Sequence, residues 1–177
     1  MRPVIIAIAG PSGSGKTYLS KYLRSEFDVP MIVSTTTRPM REGETEGEDY
    51  FFVSSTKGFD PAVMLTHTRF GKHEYFSLKS QLPADGYCTY VVDENGIKAL
   101  KRAATDEFDV YTVYVTCGRE ALVARGIDSE RIDRDRNRPR IDYDYIDLIV
   151  GNNGSVEQFE DAARSLMKII EQWRHLR

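Results

Sequence analysis

The run "VIIAIA" at Val4–Ala9 is apolar at every position, which predicts a strand buried in a sheet. Directly after a glycine-rich turn, "KTYLSKYLRSEF" places Leu19, Tyr22, Leu23 and Phe27 at helical spacing. The alternation then repeats. "PMIVS" (30–34) predicts a strand, "TYVVD" a strand ending at Asp93, and "ENGIKALKRAA" a helix. "VYTVYVTC" predicts a further strand, "GREALVARG" a short helix, and "DLIV" at Asp147–Val150 the last strand. Ser155 opens a long C-terminal helix, with Gln158 completing a capping box. Strands separated by helices predict a parallel sheet with helices on both faces. Two stretches interrupt the rhythm: 34–80, with short aromatic and turn segments, and 125–144, dense in charge. With no repeat and no low-complexity linker, both are expected to be insertions on one α/β core built from 1–33, 81–124 and 145–177.

Composition narrows the picture modestly. The 177 residues suit one domain burying roughly 70% of its unfolded surface. A net charge of −3 argues against a broad electrostatic surface for nucleic acid or anionic membrane. No segment approaches the apolar length of a membrane span, and "VIIAIA" is too short for a signal-peptide core. Cys88 and Cys117 fall in strand-like runs, which fits two reduced thiols and a cytoplasmic protein.

The turn after the first strand carries chemistry. Gly10, Gly15, Lys16 and Thr17 satisfy G-x-x-x-x-G-K-[ST], with Pro11, Ser12, Gly13 and Ser14 between them. Glycines let backbone N–H groups face an anion at a helix N-terminus. Lys16 adds a mobile point charge, and the Thr17 hydroxyl is suited to Mg²⁺. Strand before and helix after are the context this phosphate loop requires. It implies a nucleoside triphosphate site.

The segment "TTTRPMREGETEGEDYFF" holds a second set of anion-binding groups. Pro39 stiffens the turn between Arg38 and Arg41, and Tyr50 follows a polar, glycine-containing loop. Two arginines and a tyrosine could hold a phosphate dianion. The alternative is two solvated arginines paired with neighbouring glutamates.

"STTTRPMREGETEGEDYFFVS" closely resembles the acceptor-binding segment of guanylate kinases over some twenty consecutive residues. The resemblance implies a P-loop NTPase fold with an acceptor-binding insertion at 34–80 and a mobile lid at 125–144. It implies that Ser34 touches the acceptor base while Arg38, Arg41 and Tyr50 grip the acceptor phosphate. With one residue inserted, "GKHEYFS" resembles the family's next motif, giving Tyr75 a phosphate contact and Ser77 a base contact. "VVDENG" is similar to the family strand that ends in two aspartates; Asp93 takes the second place, near the base and the water shell of the metal, while Val91 stands at the first. Asp93 could instead simply cap its helix. "ARGIDSERIDRDR" looks like the lid, implying that Arg125 and either Arg134 or Arg136 neutralise charge on the transferring phosphoryl. A self-neutralising solvated helix, with Glu130–Arg134 and Arg131–Asp135 pairs, is the alternative there. "LIVGNN" resembles the turn that puts Asn152 near the adenine of ATP.

The chain departs from the family pattern where guanine is read. The position of the family's glutamate holds Thr66, and Glu74 lies on the far side of Gly71. The segment after the lid is also short. The expected activity is transfer of the γ-phosphoryl of MgATP to GMP or dGMP by a monomer or weak homodimer. Two alternatives stand beside it: a kinase for another nucleotide or a phosphorylated sugar, and a non-catalytic binding module of the same fold.

Overall fold

The computed structural model describes residues 2–104, 106–136 and 141–176. β1 (Val4–Ala9) is buried at every position. It pairs with β7 (Tyr87–Val91) on one side and β8 (Asp109–Thr116) on the other. β2 (Met31–Ile32) and β9 (Leu148–Gly151) form the edges, so the sheet runs β2-β7-β1-β8-β9 with every pairing parallel.

Alternation along β1 decides which helices cover which face. Val4, Ile6 and Ile8 meet Leu19 and Leu23 of α1 (Lys16–Phe27) and Phe159, Leu166, Met167 and Ile170 of α5 (Val156–His175). Ile5 and Ala7 face the other way, into a cluster with Cys88, Phe108 and Leu100 of α2 (Glu94–Ala103). Each such aliphatic side chain contributes about 1.5–3 kcal/mol by leaving water. The capping box at Ser155 and Gln158 is present.

β2 is shorter than the predicted "PMIVS" strand. Pro30 still accepts from the Thr89 amide at 2.8 Å. Past Ile32, however, the Gln81 carboxamide takes over the Val33 backbone, accepting from its N–H at 2.8 Å and donating to its carbonyl at 3.0 Å. A side chain thereby replaces the sheet, and the chain turns away.

It turns into a second sheet. β3 (Thr35–Thr36), β4 (Phe51–Phe52), β5 (Met64–Phe70) and β6 (His73–Leu78) lie in the order β4-β3-β6-β5. Leu65 of β5 reaches the α2-side cluster and ties this sheet to the core. Two short helices, α3 (Arg119–Ala124) and α4 (Ser129–Arg136), follow β8. No helix among the described residues is long and apolar enough to cross a membrane.

All five core strands end on one side, as ligand sites in such sheets require. Gly10 follows β1, Asp93 lies two residues beyond β7, Cys117 follows β8 and Asn152 follows β9.

Candidate active site

The phosphate loop is shaped by close approaches. Gly10 runs so near β8 that a Cβ would overlap the Val115 carbonyl oxygen. Gly13, at φ +76°, would bring a Cβ within 2.6 Å of Ile127 Cγ1. Ser14 donates its amide to the Pro11 carbonyl at 3.2 Å, and α1 starts at Lys16. Lys16 Nζ donates to the Gly10 and Pro11 carbonyls at 2.8 and 2.9 Å, curling the ammonium over the loop. Thr17 is exposed in the first turn of the helix. Ser14 Oγ is fully buried without a hydrogen-bond partner.

The Ser12 amide shows what this loop attracts. It donates to Asp135 Oδ2 at 2.7 Å, bringing α4 of the charged segment against the loop. The residues present therefore suit an anion.

Asn152 braces the loop from behind. Its Nδ2 donates to the Ser14 carbonyl at 2.7 Å, and its side chain lies against Gly15, which adopts φ +104°. Its Oδ1 accepts from Arg125 Nη2 at 2.8 Å, and the same nitrogen reaches the Asn152 carbonyl at 2.9 Å. Cys117 Sγ lies 3.3 Å from Arg125 Nη1. Arg125 is thus joined to Asn152 and Cys117 at the ends of β8 and β9. The side chains of Arg134 and Arg136 lie outside the described residues.

Arg38, Tyr50 and Tyr75 are brought together on the second sheet. Arg38 is only 7% exposed. Its guanidinium carbon sits 5.3 Å from the Tyr50 ring centre and 5.7 Å from that of Phe52, while Tyr50 and Tyr75 pack edge to face at 6.0 Å. Glu44 clamps it with two bonds, 3.0 Å from Nη1 and 2.7 Å from Nη2, and the Pro39 carbonyl accepts from Nη1 at 2.7 Å. Glu44 also accepts from the Arg41 amide at 2.8 Å. Arg38 is therefore paired with a glutamate, as the alternative reading had it, but buried rather than solvated. The pairing holds the Glu44 carboxyl below its ordinary range and Arg38 above its own. Burial raises the Tyr50 hydroxyl. Arg41 is exposed at the rim of the same loop.

The β5–β6 hairpin carries "GKHEYFS". A two-residue turn at Gly71 and Lys72 joins the strands, pairing Thr66 with Ser77 and Thr68 with Tyr75. Thr66, Ser77 and Tyr75 consequently share one face. Glu74 lies on the other, where its carboxylate accepts from Thr56 Oγ1 at 2.9 Å and meets His67 at 3.3 Å. Asp93 caps α2, accepting from the Gly96 amide at 2.7 Å through Oδ1. Ser34 Oγ lies 3.0 Å from Tyr90 Oη.

Three participants escaped sequence reasoning. Glu44 was visible only as one of several loop acids. Asp135 meets Ser12 across 123 positions of chain. Tyr90 read as a core strand residue, and only the tertiary structure shows where its hydroxyl goes.

A family model described as guanylate kinase matches residues 1–173. Among curated proteins, the guanylate kinase of Maricaulis maris is 35% identical, covering 96% of this chain and 82% of that protein. The guanylate kinase of Helicobacter hepaticus is 30% identical over 96% of this chain and 98% of its own length. A crystal structure of guanylate kinase from Anaplasma phagocytophilum superposes with a TM-score of 0.63 at 19% identity, covering 97% of this chain and 86% of that one. That likeness carries the fold.

Proposed function

The chain belongs to the guanylate kinase family, and from that premise we propose that it transfers the γ-phosphoryl of ATP to GMP or dGMP, yielding ADP and GDP or dGDP. The observation carrying this reading is the coexistence of two anion sites of different build: the glycine loop before α1, and Arg38 buried among Tyr50, Phe52 and Tyr75.

The residues divide the work. The loop Gly10–Pro11–Ser12–Gly13–Ser14–Gly15 holds the donor's phosphates by its amides, beginning with Ser12 once Asp135 has moved away. Lys16, now resting on two carbonyls, follows the phosphoryl as charge builds. Asn152 keeps the loop's shape and, with Arg125, closes the donor side. Thr17, with Asp93 through water, would hold Mg²⁺, which would supply charge neutralisation at the donor phosphates. No protein base is needed, because the acceptor phosphate oxygen is already a nucleophile. Arg38 presents its remaining N–H groups to that phosphate, aimed by Glu44, with the Tyr50 and Tyr75 hydroxyls beside it. Arg41 closes from the rim. Ser34, Ser77 and Asp93 face the base. On this reading residues 34–80 are the acceptor-binding insertion and 125–144 the lid. By the family resemblance, Arg125 and either Arg134 or Arg136 supply the charge over the γ-phosphate. The enzyme works on free nucleotides in the cytoplasm, as a monomer or weak homodimer.

The test separates the two anion sites. In a coupled ADP-release assay, Arg38→Ala raises the KM for GMP by about 30-fold or more, the worth of a lost charge-assisted pair in a desolvated site, while the KM for ATP stays within about twofold. Equal KM values for GMP in variant and wild type would remove Arg38 from the acceptor site.

A further inference from the structure

Four hydroxyls from four segments meet beneath the acceptor site. Ser34 Oγ lies 3.0 Å from Tyr90 Oη, Tyr90 Oη 3.1 Å from Thr66 Oγ1, and Thr66 Oγ1 3.0 Å from Ser77 Oγ. Tyr90 is the hinge of this chain. It is 3% exposed, pairs with the small Ala7 in the register of β1 and β7, and passes its ring through the apolar cluster around Ile5, Ile32 and Leu65. Its hydroxyl thereby reaches the short Thr66 side chain. Ser77 is fully buried and Ser34 only half-buried, so the row runs from the interior towards solvent. Neither nearby carboxylate joins it. Glu74 is on the opposite face of the hairpin, and Asp93 turns Oδ1 to the start of α2.

The electronic property of such a row differs from that of a carboxylate. An ionised carboxylate only accepts, whereas each hydroxyl donates once and accepts twice. Four hydroxyls with three internal bonds leave one proton over, and the row can run in either direction. If Ser77 donates to Thr66, Thr66 to Tyr90 and Tyr90 to Ser34, then Ser34 turns its own proton outward as a donor. If the row reverses, Ser34 donates inward and offers lone pairs outward. The wall can therefore meet the N1–H of guanine or the bare N1 of adenine.

We propose that Tyr90 is a specificity-determining residue of the acceptor site, linking Ser34 to Thr66 and Ser77 in a reversible hydroxyl row, so that the acceptor class is purine nucleoside monophosphates with or without the 2-amino group. This rests on the reading that the acceptor base lies against Ser34 and Ser77. With Asp93 Oδ1 taken by the Gly96 amide, only its second oxygen is left as a fixed acceptor, so a purine monophosphate lacking the guanine amine loses less than in a site with two free carboxylates. A site that pairs every substrate donor rejects an analogue by about 10⁴-fold or more; a site of reorientable hydroxyls discriminates by about 10–100-fold.

The experiment measures kcat/KM with GMP, IMP and AMP for the wild type, Tyr90→Phe and Thr66→Glu, with KM for ATP as internal control. The wild type turns over IMP within about 10-fold of GMP and AMP within about 100-fold. Tyr90→Phe keeps the ring and shifts the kcat/KM ratios among the three purines by about 10-fold, at unchanged KM for ATP. A merely structural hydroxyl would lower the melting temperature without moving those ratios. Thr66→Glu supplies a fixed acceptor and sharpens GMP over IMP and AMP by about 10-fold or more. GMP turnover with IMP and AMP rejected by about 10⁴-fold would overturn the inference and leave the kinase reading standing. Unchanged ratios in Tyr90→Phe would overturn it equally. No turnover of any purine monophosphate, alongside a folded wild type, would overturn the kinase reading and this inference together.

Discussion

Asn152→Ala removes the brace behind the phosphate loop, and its cost can be worked from the contacts. Asn152 is buried, with its amide nitrogen 2.7 Å from the Ser14 carbonyl and its oxygen 2.8 Å from Arg125 Nη2. Truncation leaves the Ser14 carbonyl without that donor, which costs about 1–3 kcal/mol. Arg125 loses one charge-assisted bond but keeps the Asn152 carbonyl and Cys117 as neighbours, so this part is worth about 1 kcal/mol. The sum is about 2–4 kcal/mol. In a domain of this size each kcal/mol lowers Tm by about 2–4 °C, giving an expected fall of about 4–16 °C by calorimetry. The loop also loses preorganisation, so ATP affinity drops about tenfold or more by fluorescence titration, while GMP affinity holds. Asn152→Asp distinguishes donor from bulk. It retains an acceptor for Arg125 yet turns a carboxylate on the Ser14 carbonyl, so it should bind ATP no better than the alanine variant. A Tm within 1 °C of wild type and unaltered ATP affinity for Asn152→Ala would refute the brace.

Asp135→Ala clears a carboxylate from the Ser12 amide, so ATP no longer competes with it; the dissociation constant for ATP should fall about three- to tenfold, and an unchanged or higher constant would count against the contact. Acid should act through Glu44. Its bond to Arg38 holds the folded carboxyl below the ordinary 4.5, so the pair's stabilisation is fully present above that pH and is lost as pH falls through the lower folded value. Wild type minus Glu44→Gln should therefore show a stability difference that is constant from pH 5 to 8 and shrinks below about pH 4.5; a difference independent of pH would refute the pairing. Arg38 is aimed by the same bond, so Glu44→Gln should also raise the KM for GMP several-fold above pH 5, checked by the coupled assay.

Local chemistry made part of this molecule readable from its sequence. The phosphate loop is contiguous, so spacing alone located it, although its glycines also make room for distant neighbours: Val115 at Gly10, Ile127 at Gly13 and Asn152 at Gly15. β1 was legible because burial on both faces leaves no polar position. α5 announced itself through Ser155 and Gln158. Arg38 shows the limit. A loop glutamate partner was visible six positions away, but its burial against Tyr50 and Phe52 depends on β4 lying beside β3. The offset in "GKHEYFS" reads as one inserted residue against the family pattern, while the pairing that sets Thr66 opposite Ser77 is visible only in the hairpin itself. β2 stopped early for a reason 48 residues away, the Gln81 carboxamide on Val33. Tyr90 carried no signal at all: a tyrosine in an apolar strand reads as core, and only tertiary packing sends its hydroxyl to Thr66 and Ser34.

The most direct test of the central claim follows the phosphoryl group itself. Purified protein is given Mg²⁺, ATP labelled at the γ-phosphate, and GMP, and the products are separated. Label is expected in the β-phosphate of GDP, with one equivalent of ADP for each GDP formed and loss of the transfer by orders of magnitude in Lys16→Ala with the fold retained. ADP formation indifferent to GMP, or transfer undiminished in Lys16→Ala, would contradict that claim.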